Sequence, residues 1–429
     1  SRVPLDSVSV YCGGSNCSAR TTDGGFVVGG AVNLSDGTQR PLIQRFDSAG
    51  NFVATYSFQL DGQSWIGRQA IEDVDGGFLL CGETSGEGFL IKTDPFGSAE
   101  WVRTYGGPDV DFIVSVVRAA NGYYLGGSYR QSPGNYQFWI LRLDQSGVVI
   151  WQHIWGSPFN DYHIGLAATS DGHVAMVSSK SLDAFDTGPK NYYMAKLDST
   201  SGDILWDNTF GPPYFNGSIL FTVKEIETGN DLVAAGYIVL STSSLGFRGI
   251  LLRSTTDGDS LWMRQYAYHD AAIDSSAGIF HDVEPTPDGG FIAVGAAYGV
   301  SQNGTSYGQD VWVVKVDSMG CIEPGCHLIT GMETQITNLR DVLKVYPNPV
   351  ASGGSVTVTL ELPQTFIPEG PLQLTVVDAQ GRLVRKENFT PNNSQLTLHT
   401  STLPYGIYHL HLSDNTRWIS GCKLVVELQ

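Results

Sequence analysis

The stretch Asp75-Gly76-Gly77-Phe78-Leu79-Leu80-Cys81-Gly82 recurs as Asp23 to Gly30 and Asp288 to Gly295. Looser copies run Asn121 to Gly127, Asp171 to Ser178 and Gly229 to Gly236. Behind each copy comes a turn glycine followed four residues later by Trp and eight later by an aromatic: Gly97/Trp101/Tyr105, Gly147/Trp151/Trp155, Gly202/Trp206/Phe210 and Gly258/Trp262/Tyr266. The first repeat is degenerate (Gly50/Ala54/Phe58) and the sixth keeps only Gly320. These glycines lie 47, 50, 55, 56 and 62 residues apart, the period of a four-stranded β-propeller blade and not of a helical repeat.

The second repeat serves as the template: Ser64 to Glu72, Phe78 to Thr84, Gly88 to Thr93 and Ala99 to Tyr105 read as strands, joined at Asp75-Gly76-Gly77 and Asp94-Pro95-Phe96-Gly97. Glycine in fourth place suits a turn ending in a left-handed bulge residue. Aspartate in first place accepts the turn's own amides. The recurring Asp and Gly are thus read as structural. The sixth repeat lacks a Trp strand after Asp310 to Val316, and Val8 to Gly14 resembles the fourth-strand end Val102 to Gly107. An all-β, six-bladed propeller over 1–326 is therefore expected, with the N-terminal strand Asp6 to Tyr11 closing blade six.

In such blades the short D-G-G and D-x-x-G turns share one face, and the long links share the other. The links carry Trp65 and Arg68; Asp109, Asp111 and Phe112; Phe159, Asp161, Tyr162 and His163; Tyr214, Phe215 and Asn216; His269, Asp270 and Asp274. Variable loops on a rigid scaffold are where binding is expected, so Trp65, Phe159, Tyr162, Tyr214, Phe215 and His269 are the ligand-binding candidates. The competing reading makes these rings inter-blade packing.

Composition agrees with strands: 41 % hydrophobic, 11 % aromatic, and 51 glycines. The net charge of −18 falls on residues 1–341, which hold 19 basic against 37 acidic residues, whereas 342–429 hold six of each. Such a body repels phosphate backbones, so no nucleic-acid partner is expected. Cys12 with Cys17 and Cys321 with Cys326 span turn-rich four-residue spacers and read as two small disulfides; Cys81 and Cys422 read as free thiols. No apolar run reaches membrane-spanning length, and the start at Ser1 without a leader reads as an export signal already removed.

No G-x-S-x-G, H-E-x-x-H or phosphate loop is present, and the nine histidines show no metal spacing; no catalytic residue, metal or cofactor is assigned. The D-x-x-G-x-x-x-W turn resembles the sialidase Asp-box with an extra residue on each side of the glycine, and such a box is a fold element. A non-catalytic binding or adhesion protein is the leading reading. The alternative is a glycan-active hydrolase using link-face carboxylates such as Asp111, Asp161 and Asp274.

After a polar linker, 327–341, the repeat gives way at 342–429 to period-two runs broken by Gly, Pro and Asn, which predict a small Ig-like β-sandwich. Its motifs are Tyr346-Pro347-Asn348-Pro349, Asp378 with Gly381 and Arg382, Leu403-Pro404-Tyr405-Gly406-Ile407-Tyr408, and Lys423-Leu-Val-Val-Glu427. In this order they resemble the type A C-terminal sorting domain of the Bacteroidota type IX secretion system. The resemblance implies Sec export to the periplasm, the outer-membrane translocon and its shuttle protein as partners, and a secreted or cell-surface destination. The repeats before it resemble, more weakly, the secreted delta-60-type propeller repeats, which have no assigned chemistry. Residue Cys422 departs from the sorting pattern without disturbing its order.

Overall fold

The computed structural model describes residues 10–12, 17–60, 64–131, 134–183, 188–214, 218–227, 229–239, 247–266, 276–300, 306–322, 335–336, 342–363, 366, 368, 370–379, 381–389, 395–414 and 417–427. Among them every regular element is a β-strand, and no helix is long and apolar enough to cross a membrane. The chain divides into two compact units, Ser1–Glu284 with Ala293–Val313, and Pro285–Ile292 with Val314–Gln429.

Among the described residues six sheets follow in series, the first five antiparallel. The second (Ile66–Glu72, Phe78–Glu83, Gly88–Thr93, Ala99–Tyr105) matches the template within two residues. The third is Phe112–Ala119, Gly122–Arg130, Tyr136–Leu143 and Val149–Trp155, and the fourth is Gly165–Ala168, Val174–Ser181, Lys190–Leu197 and Ile204–Tyr214. Ile219–Glu225, Leu232–Val239, Phe247–Ser254 and Ser260–Tyr266 make the fifth. The sixth has three strands among the described residues, Ser276–Pro285, Phe291–Val300 and Ser306–Val316. In the first four inter-sheet steps, the first strand of one sheet packs on the first or second strand of the sheet before it, as blades of a β-propeller do.

The first sheet corrects one expectation. Val10–Cys12 pairs with Phe26–Asn33 of the first sheet, in the register Val10 to Val32, Tyr11 to Ala31 and Cys12 to Gly30; it does not complete the sixth. The reason lies in the short first strand Ser18–Arg20, which covers only Phe26 to Val28 and would leave Gly30 to Val32 open. Val10–Cys12 fills that half, and Gln39–Phe46 and Phe52–Ser57 complete the sheet. Asp6 to Ser9 lie outside the described residues.

The repeat's glycines have two physical causes. First-strand ladders shift register at Gly67/Gln69, Ile113/Ser115 and Leu220/Thr222, each shift forcing out one extra residue. The bulged backbone then leans on the second strand: a Cβ at Gly82, Gly127 or Gly236 would lie 1.9–2.0 Å from the carbonyl oxygen of Ile66, Phe112 or Ile219. In the fourth sheet Ser178 stands there, and its hydroxyl donates to the Tyr162 carbonyl at 2.6 Å. The turn glycines, such as Gly97 (φ 80°) and Gly202 (φ 76°), take the expected left-handed conformation. They also form the floor for the previous sheet's aromatic: a Cβ at Gly202 would meet Trp151 at 2.7 Å, while Trp151 donates its Nε1 hydrogen to Ser199 O in the same turn. The G-x-x-x-W spacing thus staples one sheet to the next.

In the second unit, Arg417–Glu427, Gly406–Ser413, Gln373–Asp378 and Leu383–Asn388 form one sheet; Leu343–Tyr346, Ser355–Leu360 and Gln395–His399 form another. Both contribute to one apolar core that includes Val356, Val358, Leu398, Leu374, Val376, Leu410 and Leu424. Gln335–Ile336, within the segment read as linker, pairs in parallel with Arg417 and Trp418.

Candidate functional site

The recurring aspartates are held in turns. Asp94 accepts the amides of Phe96 (2.9 Å) and Ser98 (2.8 Å), and Asp144 those of Ser146 and Val148. Each D-G-G aspartate accepts the amide two residues on, as Asp75 does from Gly77 at 2.9 Å. A further element of the repeat went unread in the sequence: a cation (Arg45, Lys92, Arg142, Lys196, Arg253, Lys315) two residues before the second turn of each sheet, which opens on Asp except at Thr255. It pairs back to the first turn of its own sheet, Arg45 to Asp23 (2.7 Å), Lys92 to Asp75 (2.6 Å), Lys196 to Asp171 (2.5 Å), Arg253 to Asp231 (2.8 Å) and Lys315 to Asp288 (2.8 Å). Arg142 meets Asn121 O instead. At Lys92 the network reaches inward: the Lys92 ammonium and Asp73, 3.6 Å apart, are buried, half-exposed Asp75 and Glu100 (3.1 Å) join them, and Tyr123 donates to Asp73 at 2.7 Å. A cavity of about 310 Å³ opens beside it, lined by these charged groups.

On the link face, Trp65, Asp111 and Asp161 turn out to occupy one structural position. Each donates its amide to the carbonyl at or just before the start of the preceding sheet's third strand: Trp65 to Gln39 (3.0 Å), Asp111 to Gly86 (3.0 Å), Asp161 to Tyr136 (2.9 Å). Trp65 lays its ring against buried Phe89, centroids 5.0 Å apart, within the apolar core. Asp111 accepts amides from Gly107 and Arg130; Asp161 accepts them from Ser157 and Ser181. Both carboxylates are fully buried, and desolvation raises their pKa above the ordinary range. They bolt each link to the second strand of the following sheet. Ser218 does the same in the fifth sheet, accepting the Val239 amide at 3.1 Å.

One residue after Asp111 and Asp161, Phe112 and Tyr162 are half-exposed. Phe112, Tyr136 and Tyr162 meet at 5.4, 6.3 and 5.1 Å between centroids. The contacts continue from Tyr162 to His163 (6.1 Å), His163 to Phe221 (6.2 Å), Phe221 to Tyr237 and to His281 (5.6 Å each), and Tyr237 to Phe247 (5.5 Å). All these rings are half-buried except His163, which is exposed. Phe221 is the extra residue of a first-strand bulge, as Arg68 is in the second sheet. Of this rim only Tyr162 was a sequence candidate. Bulges have no local sequence signature, so Phe221 and His281 were not legible as members.

The rim carries positive charge. The Lys190 ammonium, nearly buried, lies 5.9 Å from the Tyr162 ring centroid, and the Arg130 guanidinium 5.5 Å from that of Tyr136. Arg68 is ion-paired to Glu83. His163 holds a left-handed backbone (φ 60°), unusual for a non-glycine residue. Water reaches its ring, yet protein encloses it closely; desolvation first, then the charges of Lys190 and Arg68, push its pKa down to about 4. Burial likewise lowers His281. Both imidazoles are neutral at pH 7.

Among the other candidates, Phe159 is half-buried, with its amide on Ser157 Oγ and its carbonyl accepting from Gln137. Tyr214 lies on a described strand, but its side chain, like Phe215, His269, Asp270 and Asp274, lies outside the described residues. Cys81 and Cys422 are free and Cys17 and Cys321 are disulfide-bonded; the side chains of Cys12 and Cys326 lie outside the description. No group of His, Cys, Asp and Glu suited to a metal occurs among the described residues.

The C-terminal motifs meet in space. Asn348 donates through Nδ2 to Lys423 O (2.6 Å) and accepts the Val425 amide (2.9 Å), which joins the Tyr346-Pro347-Asn348-Pro349 turn to the last strand. Asp378 accepts the Arg382 amide and its Nε hydrogen around Gly381 (φ 76°), and Tyr408 donates to Pro404 O at 2.7 Å near Gly406. Tyr346 and Tyr405 are exposed.

Residues 344–427 match the family described as the secretion system C-terminal sorting domain. That domain marks proteins exported by type IX secretion, and this chain is accordingly one destined for the cell surface or the medium. No curated protein matches the chain. Among solved structures it is similar to a protein from Lactobacillus plantarum (12% identity, 72% of this chain and 86% of that one, TM-score 0.43). It is also similar to Drosophila Plexin A in complex with Semaphorin 1b (10%, 82% and 85%, 0.37) and to the GH43 endo-arabinanase of Bacillus licheniformis (14%, 59% and 94%, 0.30). Likenesses this distant carry no argument about activity.

Proposed function

We propose that the chain is a non-catalytic binding propeller, exported by its 342–429 domain through the type IX translocon and shuttle protein, which holds a surface glycan against the link-face rim. The six sheets are taken as six blades of one ring, with Cys12–Cys17 and Cys321–Cys326 bonds at its ends. The continuous run of half-exposed rings from Phe112 to His281 carries the reading. Rings of this kind stack on sugar faces and bury area at low entropic cost, whereas the turn face offers paired charges. Hydrolysis would need an available carboxylate pair, and Asp111 and Asp161 are committed to backbone amides. Glycan-array binding by the full chain, lost in Phe221→Ala and without released product, is the expected result. Release of shortened glycans by the wild type, abolished in a link-face carboxylate variant, would replace binding with hydrolysis.

A further inference from the structure

The cavity beside Lys92 lies where the junction of the second and third sheets departs from the others. At two other junctions a glutamate ending the first strand of one sheet clasps the first turn of the sheet before it: Glu72 accepts the Thr22 amide at 2.6 Å, and Glu225 the Ser170 amide at 2.7 Å. In the third sheet that place holds Arg118, which cannot accept, and the matching Val74 amide donates to Asp73 of its own sheet at 2.8 Å. The indole bond is missing too. Trp151 and Trp206 donate to Ser199 O and Thr256 O in the next sheet's turn, whereas Trp101 makes no such bond to Gln145 O, and both residues line the cavity.

Two acids at this junction are also out of pattern. Asp73 stands where Thr21, Thr169 and Thr286 donate to their D-G-G aspartates, and Glu100 where Val53, Ile150, Leu205 and Leu261 stand exposed. The Lys92 ammonium commits its three hydrogens to Asp75 Oδ2, Thr93 O and Glu100 Oε2. Three carboxylates thus share one cation, and Glu100 Oε1 has no donor among the described residues. Arg118, on the same cavity, has no ion-pair partner among them either. Ties that hold other junctions are given up here and opposite charges are left apart, which is the arrangement of a site and not of a joint.

We propose that this cavity is a second binding site, separate from the link-face rim, for a zwitterion of the α-amino-acid class with an apolar side chain. The ligand's ammonium donates to Glu100 Oε1 and its carboxylate accepts from Arg118, with the Trp101 N–H as a further donor. Its side chain lies against Val74, an exposed apolar residue where Thr22 and Ser170 stand in other sheets. A volume of about 310 Å³ is at the lower end of the range of about 300–1,000 Å³ for small-molecule sites, which suits a single amino acid and not a peptide.

The test is calorimetric titration of the full chain with L-leucine, with leucinamide, which lacks the carboxylate, and with isocaproate, which lacks the ammonium. Leucine should bind at least about tenfold more tightly than either analogue, since each loses one charge-assisted contact. Arg118→Gln should erase the advantage over leucinamide while leaving leucinamide affinity in place. Glu100→Leu, which installs the residue of the fourth and fifth sheets, should lower leucine affinity at least about tenfold with the urea transition kept. Phe221→Ala should leave leucine binding intact, which separates this site from the rim. Leucine binding no tighter than both analogues, or untouched by either cavity variant, overturns the zwitterion site, as does binding of none of the three probes. Loss of leucine binding in Phe221→Ala overturns it as well, by moving the ligand to the rim.

Discussion

The two ends of the sheets follow different rules. At the turn end the sheets repeat one solution: an aspartate or, in the fifth sheet, Thr255 caps the second turn, a cation ties that turn to the first one, and in the first four sheets an aromatic lies on the next sheet's turn glycine. At the link end only the innermost bolt repeats, and the next residue outward varies as Phe112, Tyr162 or Ile219, with a bulge residue such as Arg68 or Phe221 beside it. Repetition across sheets therefore records what the fold requires. Departure from it records where something other than the fold sets the side chain.

The sharpest way to break this contrast is to attack the turn end where it is buried. Lys92→Met strands Asp73 and should cost about 3–5 kcal/mol, whereas Lys315→Met, at a half-exposed pair, should cost under about 1 kcal/mol. Urea unfolding reads both, and equal losses would mean that the cations are not graded by burial. At the link bolt, Asp161→Ala orphans the Ser157 and Ser181 amides and should cost about 2–4 kcal/mol. Trp65→Ala should cost about 3 kcal/mol and leave ligand affinity unchanged, while Tyr162→Ala should do the reverse, little stability lost and affinity down tenfold or more. Affinity falling in the Trp65 variant alone would return that ring to the site. For Gly97→Ala, a left-handed φ and a Cβ 2.0 Å from the Tyr56 ring predict a loss of at least about 1–2 kcal/mol.

The smallest effect is on acid stability. Hydrogen bonds from Thr21, Gly25 and Arg45 hold Asp23 near pKa 2, and those from Lys315 and Thr286 do the same for Asp288. Because these folded-state values lie below the unfolded one, their stabilisation is complete above about pH 4 and lost as pH falls toward 2. Buried Asp111 and Asp161, with raised values, act in the opposite sense. Asp288→Asn should therefore flatten the acid limb of a melting-temperature profile, and an unchanged limb would remove this turn from the account.

The strand order of the second sheet was legible because glycine spacing, turn chemistry and alternation agreed. The closure was misread because Val8 to Gly14 resembles a fourth strand, and local likeness says nothing about which edge stands open. The open edge was set by Ser18–Arg20 being only three residues long. Asp111 and Asp161 entered the alternative hydrolase reading of the sequence because a buried acid accepting amides and an acid ready for chemistry are written alike. The cation row was written plainly two residues before the second turn of every sheet and needed only to be aligned.

The hydrogen bonds of Asn348 to Lys423 and Val425 span 75 and 77 residues. They make the Tyr-Pro-Asn-Pro turn a latch that shuts on the final strand. A chain interrupted before Val425 has the turn's sequence but lacks the partner that closes it. The turn is thus held in shape by a strand far away in the chain and not by its own four residues.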